Sequence, residues 1–196
     1  MSKKRLTKGN SKVRAWLFSL PPIKSCLNCN DCKDTCYAAK AYRQYKNTRA
    51  LWDDNFMMAR YNIFGLYDDL CTQLRKIEKS NLRVVRIHQS GDFFNQDYVN
   101  MWYMIAKEFP TIQFYGYTKV NKILDVQQLN RLDNVNIIDS LIDNMLNYGS
   151  LEYVQGLKKK YGTLICPASK SKLGDVKCGV ECSYCFTKNN VAFIIH

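Results

Sequence analysis

The sequence predicts an α/β fold, either a partial parallel (β/α) barrel or an open sheet, with cysteine-rich metal-binding loops at both ends. Three observations lead there. Short β-branched runs alternate with amphipathic stretches through the middle of the chain, the pattern of βαβ units on a parallel sheet. Eight of the nine cysteines fall in two runs near the ends: Cys26, Cys29, Cys32 and Cys36, then Cys166, Cys178, Cys182 and Cys185. The 196 residues, 46 % of them apolar, suffice for one full core, yet the four or five expected strands are too few for a closed eight-stranded barrel.

Taken in order, residues 1–14 hold Lys3, Lys4, Arg5, Lys8, Lys12 and Arg14 with little apolar content. They read as a flexible basic arm ahead of a single metal-binding domain over residues 15–196. Trp16, Leu17, Phe18 and Leu20 form a short apolar stretch stopped by Pro21-Pro22. The first cysteine run follows in an Asn- and Asp-rich loop. The pattern is helical from Tyr37 to about Asn47. One long helix is then expected from about Arg49 to Lys79, where Trp52, Phe56, Ile63, Tyr67, Leu70, Leu74 and Ile77 recur at three- and four-residue steps, with Gly65 weakening its middle. Cys71 lies on that stripe and is expected to be a core thiol rather than a ligand.

Residues 82–88 are rich in β-branched side chains and read as a strand that feeds the turn Gln89-Ser90-Gly91-Asp92. Asn95 to Phe109 is an amphipathic helix ended by Pro110. A strand at Ile112 to Tyr117 precedes Thr118-Lys119, and a short helix covers about Asn121 to Leu132. A strand at Val135 to Ile138, a helix at Leu151 to Tyr161 and a short strand at Thr163 to Ile165 complete the pattern, the last ending at Cys166-Pro167.

Composition narrows the function. No apolar run reaches the roughly 18 residues a membrane-spanning helix needs, and no apolar stretch follows the basic N-terminus as in a secretory signal. A reducing, cytoplasmic setting is therefore expected, in which clustered thiols bind metal rather than pair as disulfides. The formal charge is +12. Eight thiolates and two dicationic centres would bring it to about +8. A polyanionic partner such as nucleic acid fits that surplus, although an evenly spread solubility charge also would.

The first run has the spacing C-x2-C-x2-C-x3-C, used by bacterial ferredoxins to hold [4Fe–4S] clusters, although Tyr37 replaces the usual proline and no second copy follows. The second ends Cys178-x3-Cys182-x2-Cys185 and looks like the C-x3-C-x-aromatic-C signature of radical S-adenosylmethionine enzymes. Those enzymes use three cysteines and leave the fourth iron to adenosylmethionine; here Cys166 is available to close the site, and only eleven residues follow the run. Iron–sulfur is the favoured occupant of both runs, with zinc held by four thiolates in each as the alternative.

Period-two alternation puts Arg86, His88 and Ser90 on one face of their strand. Polar residues at the carboxyl end of a parallel strand mark the edge where α/β folds bind ligands. Ser90, Gly91 and Asp92 are therefore candidate ligand-binding residues, Gly91 for close backbone approach and Asp92 for an amine. His88 and Asp92 are candidate catalytic groups. Lys119 would lie on the same edge and meet a carboxylate or phosphate. The plainer alternative is a βα turn with Asp92 near a helix cap, Arg86 salt-bridged and His88 structural.

Cys32-x3-Cys36-Tyr37-Ala38, Ser90-Gly91-Asp92-Phe93, Tyr117-Thr118-Lys119, Cys166-Pro167 and Cys178-Gly179 with Cys182 and Cys185 occur in one order across residues 26 to 186. On these pieces the chain resembles the gene product 88 family of phage and mobile-element proteins. The resemblance implies a phage-type protein in the cytoplasm of a bacterial host. A further phage family, with a similar Cys-Tyr-Ala segment and a strand ending in Thr-Lys, is distantly similar to radical adenosylmethionine enzymes. By that analogy Ser90-Gly91-Asp92 stands where those enzymes carry a Gly-Gly-Glu turn contacting adenosylmethionine, although the N-terminal spacing runs in reverse order to the signature.

Three functions are consistent with these features. The first is an iron–sulfur protein with a radical-adenosylmethionine-like core acting on nucleic acid or a nucleotide. The second is a non-catalytic nucleic-acid-binding or host-modulating protein with structural metal sites, using the basic arm and Lys158-Lys159-Lys160 on phosphates. The third is an iron–sulfur nuclease. Position makes the C-terminal run the structural site and the N-terminal run the one that meets a ligand.

Overall fold

A computed structural model describes residues 3–10, 13–29, 33–34, 36–142, 145–146, 148–167, 182–186 and 191–194. The main sheet has five strands paired in chain order: β1 (Thr7–Lys8), β2 (Trp16–Leu17), β3 (Val84–Ile87), β4 (Gln113–Thr118) and β5 (Val135–Asp139). β1 and β2 are antiparallel, and β2 through β5 are parallel. The sheet is open. A hairpin of β6 (Leu141–Ile142) and β7 (Met145–Leu146) follows, then a parallel three-stranded sheet in the order β8 (Tyr148–Gly149), β10 (Val191–Ile194), β9 (Leu164–Ile165).

The helices are α1 (Tyr37–Gln44), α2 (Lys46–Tyr61), α3 (Ile63–Glu78), α4 (Gln96–Glu108) and α5 (Leu151–Tyr161), with a 3-10 helix at Val126–Arg131. Residues of α2, α3, α4 and the 3-10 helix share one core with Val85, Ile87, Phe114, Val135 and Ile137, so these helices cover one face of the sheet. Alternation sends Arg86, Tyr115, Tyr117 and Asn136 to the other face.

The single helix expected over 49–79 is two helices. The chain breaks at Asn62 (φ −147°, ψ 63°), whose side-chain oxygen accepts from the Gly65 N–H at 3.1 Å and caps α3. A Cβ on Gly65 would fall 2.6 Å from that Asn62 amide, so the glycine makes room for the cap. The apolar stripe runs unbroken through the join, which is why periodicity alone merges the two. Cys71 is 1 % exposed in α3, and burial first, then the Glu108 carboxylate, push its thiol up to about 11.

Residues 3–8, expected as part of a free basic arm, pack instead. Leu6 is buried in the core, and Arg5 is 2 % exposed with its guanidinium between Asp54 and Asp69. Burial works to raise Asp54, but Lys3 and Arg5 outweigh it and hold the carboxyl below its ordinary range. A charge count registers these cations and is blind to the carboxylates that α2 and α3 bring to them. Among the described residues no helix is long and apolar enough to cross a membrane.

Candidate functional site

The open face of the sheet and the carboxyl ends of β3 and β4 bound a cavity of about 710 Å³. The β3–α4 turn supplies its edge. The chain after β2 is fastened to that turn by the Leu20 N–H donating to the Ser90 carbonyl at 2.9 Å and the Gln89 N–H to the Phe18 carbonyl at 3.0 Å. Gly91 has φ +84°, and a Cβ there would come within 2.5 Å of Ser25 Oγ and 2.7 Å of Leu20 Cβ. Its missing side chain therefore makes room for the Leu20–Ser25 segment, and the residue itself borders the cavity.

Asp92, 7 % exposed, ties the two strand ends together. Its Oδ1 accepts from Thr118 Oγ1 and from the Phe93 N–H, each at 2.7 Å, and its Oδ2 accepts from the Lys119 N–H at 2.9 Å. Burial raises the carboxyl to about 6 against these donors. It borders the cavity with both oxygens already engaged. Lys119 also borders the cavity, half-buried.

His88 departs from the expected alternation. Its backbone is left-handed (φ +61°), and its ring packs into the helix-covered core while the residue still borders the cavity. There it packs edge-on to Phe93 with ring centres 4.6 Å apart, and its Nε2 lies 2.9 Å from the Tyr98 hydroxyl. Burial first, then the Arg86 charge, lower it to about 3, so it is neutral at physiological pH. The period-two rule fails here because one positive φ breaks the extended backbone on which it rests.

Arg86 keeps the cavity face. Its guanidinium sits 5.2 Å from the centre of the Tyr117 ring. Burial opposes its charge, and Tyr37, Tyr115, Tyr117 and Cys185 around it favour the charge and win. The salt bridge of the plainer alternative is not seen among the described residues, where no carboxylate lies within 4 Å of it, and its buried Nε has no hydrogen-bond partner there. The Ser90 hydroxyl, also on the cavity and only 4 % exposed, likewise has none.

Both cysteine runs reach this cavity. On one side lie Cys26 and Cys36, the latter at the N-cap of α1. That loop is held by Asn28 Nδ2 donating to the Lys119 carbonyl at 3.1 Å and the Tyr37 hydroxyl donating to the Gln89 carbonyl at 2.6 Å. On the other side lie Cys166, Cys182 and Cys185. The short 3-10 turn Tyr184–Phe186 crosses the open sheet face, where Asn136 Nδ2 donates to the Cys185 carbonyl at 3.0 Å and Gln113 Nε2 to the Phe186 carbonyl at 2.9 Å. The Tyr117 hydroxyl is 2.8 Å from Cys185 Sγ. Cys29 is half-buried and does not line the cavity; Cys32 and Cys178 lie outside the described residues. Among the described residues no three His, Cys, Asp or Glu side chains are grouped closely enough to hold a metal ion.

The donor chemistry around the cavity suits a soft metal. Five thiols from two runs open on it, and its carboxylate Asp92 is already committed to backbone and Thr118 donors. Sequence alternation places Arg86 on this face but not its lack of a counter-ion among the described residues. Nor does it reveal Tyr115 and Tyr117 as cavity walls, because aromatic residues in a strand read equally as core.

Residues 1–189 match the family model described as "Gene product 88". The chain is similar to the "Gene 88 protein" of Mycobacterium phage L5, 25 % identical over 175 residues that cover 79 % of this chain and 73 % of the relative. It is likewise similar to the "Gene 88 protein" of Mycobacterium phage D29, 26 % identical over 176 residues with the same coverage. No solved structure matches the chain.

Proposed function

We propose that this chain, which belongs to the gene product 88 family, is an iron–sulfur protein whose two cysteine runs flank one ligand cavity, where it acts on nucleic acid or a nucleotide. The observation that carries this reading is the convergence of Cys26 and Cys36 with Cys166, Cys182 and Cys185 on a single cavity at the carboxyl edge of a parallel sheet. Cys26, Cys29, Cys32 and Cys36 would hold one centre, and Cys166, Cys178, Cys182 and Cys185 the other. A bound cluster would supply one-electron chemistry, as the radical-adenosylmethionine-like reading of the core requires.

The chain's own residues have separate tasks in this scheme. Asp92 holds the ends of β3 and β4 in register and shapes the cavity mouth. Tyr117 orients Cys185 through its hydroxyl. Tyr37 and Asn28 fix the N-terminal run against the same edge. The seating of the C-terminal run by Asn136 and Gln113 also supports a second reading, in which four-thiolate zinc sites staple the chain and nucleic acid is bound without catalysis.

Anaerobic purification of the full chain, followed by iron, sulfide and zinc quantitation, separates the two. Iron with matching sulfide and broad visible absorption is the expected result. Zinc without iron or sulfide would remove the iron–sulfur reading and leave the structural one.

A further inference from the structure

We infer that Arg86 and Ser90 form an anion subsite on the floor of the cavity, built to take a phosphoryl group of the ligand. The inference rests on the cavity being a ligand site, and it is independent of which metal the cysteines hold.

The argument begins with an uncompensated charge. A guanidinium carries its proton at any physiological pH, and a charge withdrawn from water is costly unless paired. Arg86 projects from the middle of the sheet, where the phenol rings of Tyr115 and Tyr117 shield it, and the Tyr117 ring lies 5.2 Å from it. Phenol hydroxyls are uncharged at neutral pH, so they soften the field around the cation without cancelling its charge. Among the described residues no carboxylate pairs with it. Arg86 is half-buried with its Nε sealed off, whereas the fully buried arginine, Arg5, sits between two carboxylates. Among the described residues carboxylates compensate the structural guanidinium of Arg5, and none pairs with that of Arg86, which faces the cavity.

A second donor points to the same ligand. The Ser90 hydroxyl is 4 % exposed, lines the cavity and has no partner. Buried hydroxyls without partners are uncommon in native proteins, and one on a cavity wall is satisfied by what the cavity binds. Lys119 adds a second cation on the same cavity. Two cations and a hydroxyl, from β3, the turn after it and the end of β4, outnumber the two oxygens of a carboxylate and suit a tetrahedral group with three terminal oxygens. The surrounding tyrosines offer faces on which a base can stack, and 710 Å³ accommodates a nucleotide.

The test uses the full-length protein, metal-free and metal-loaded, with isothermal titration of adenosine 5′-monophosphate, adenosine, inorganic phosphate and acetate. The monophosphate is expected to bind at least about tenfold more tightly than adenosine in both forms. R86Q is expected to abolish that preference, R86K to keep part of it, and S90A to weaken monophosphate binding several-fold. S90A removes a hydroxyl that bonds to nothing among the described residues, so it stands in should R86Q fail to fold. Equal binding of adenosine and its monophosphate would overturn the subsite, as would acetate binding without phosphate binding. Unchanged anion affinity in R86Q together with loss of bound iron would also overturn it, because Arg86 would then be the counter-charge of the metal site. Loss of iron alone from wild-type protein would defeat the iron–sulfur reading and leave the anion subsite standing.

Discussion

The two faces of the five-stranded sheet obey opposite rules. On the helix-covered face Val85, Ile87, Phe114 and Val135 are 0 % exposed and pack on Trp102, Tyr98 and Phe18, with Trp102 edge-on to Phe18 at 5.2 Å. On the open face the alternate residues are Arg86, Tyr115, Tyr117 and Asn136, and cysteine-bearing segments lie across them. Strand pleating separates the two sets one residue at a time, so the helix-covered core and the cavity wall draw on alternate residues of the same strands. His88 is the point of crossing: with a positive φ just after β3, it borders the cavity while its ring packs into the sealed core.

The largest effect should come from breaking the sealed face. Trp102→Ala removes a fully buried indole and should cost about 3–5 kcal/mol, read as a lower urea midpoint. The same substitution should leave phosphate affinity in the folded fraction unchanged, because Trp102 does not border the cavity.

The crossing point supplies a pH signature. Unfolded histidine takes a proton near 6.5 and buried His88 only near 3, so between these values the unfolded chain binds more protons and stability rises with pH. Asp92 acts in the opposite sense: native Asp92 keeps its proton up to about 6, unfolded aspartate loses it near 3.8, and stability falls as pH rises between them. The wild-type profile between about pH 4 and pH 6 should therefore be shallow. D92N should unmask a rise with pH, and H88N, with a residue that tolerates the left-handed backbone, should unmask a fall, each on the order of 2 kcal/mol across the window. Two parallel wild-type and variant profiles would show that the groups do not oppose one another.

Smaller effects test the open face. Asn136→Ala removes the hydrogen bond to the Cys185 carbonyl and should cost about 1 kcal/mol, with faster alkylation of Cys185 in metal-free protein. The exposed Arg75–Glu108 pair, 3.0 Å apart, gives a baseline away from both faces: Arg75→Ala should change stability by no more than about 0.5 kcal/mol.

The sealed face was largely legible in the sequence. β3, β4, β5, α4 and α5 follow from alternation, three- and four-residue periodicity and the stop at Pro110, because those patterns record burial directly. β1 and β2 were not, since strands of two residues carry no alternation to stand out. The break at Asn62 leaves the apolar stripe intact and so leaves no periodic trace. The open face was legible in kind, through its cysteines and the polar turn after β3. Its arrangement depends on long-range facts that local pattern cannot carry: which carboxylates reach Arg5, that none among the described residues reaches Arg86, and that Asp92 is occupied by Thr118 and Lys119.

The central claim is that both cysteine runs meet over one face of one sheet. It is tested most directly by treating the metal-free, full-length protein with a short bis-maleimide and mapping the joined peptides by mass spectrometry. A cross-link between Cys36 and Cys182 or Cys185 is predicted alongside links within each run. Links confined to each run, with none between them at any reagent concentration, would contradict the account.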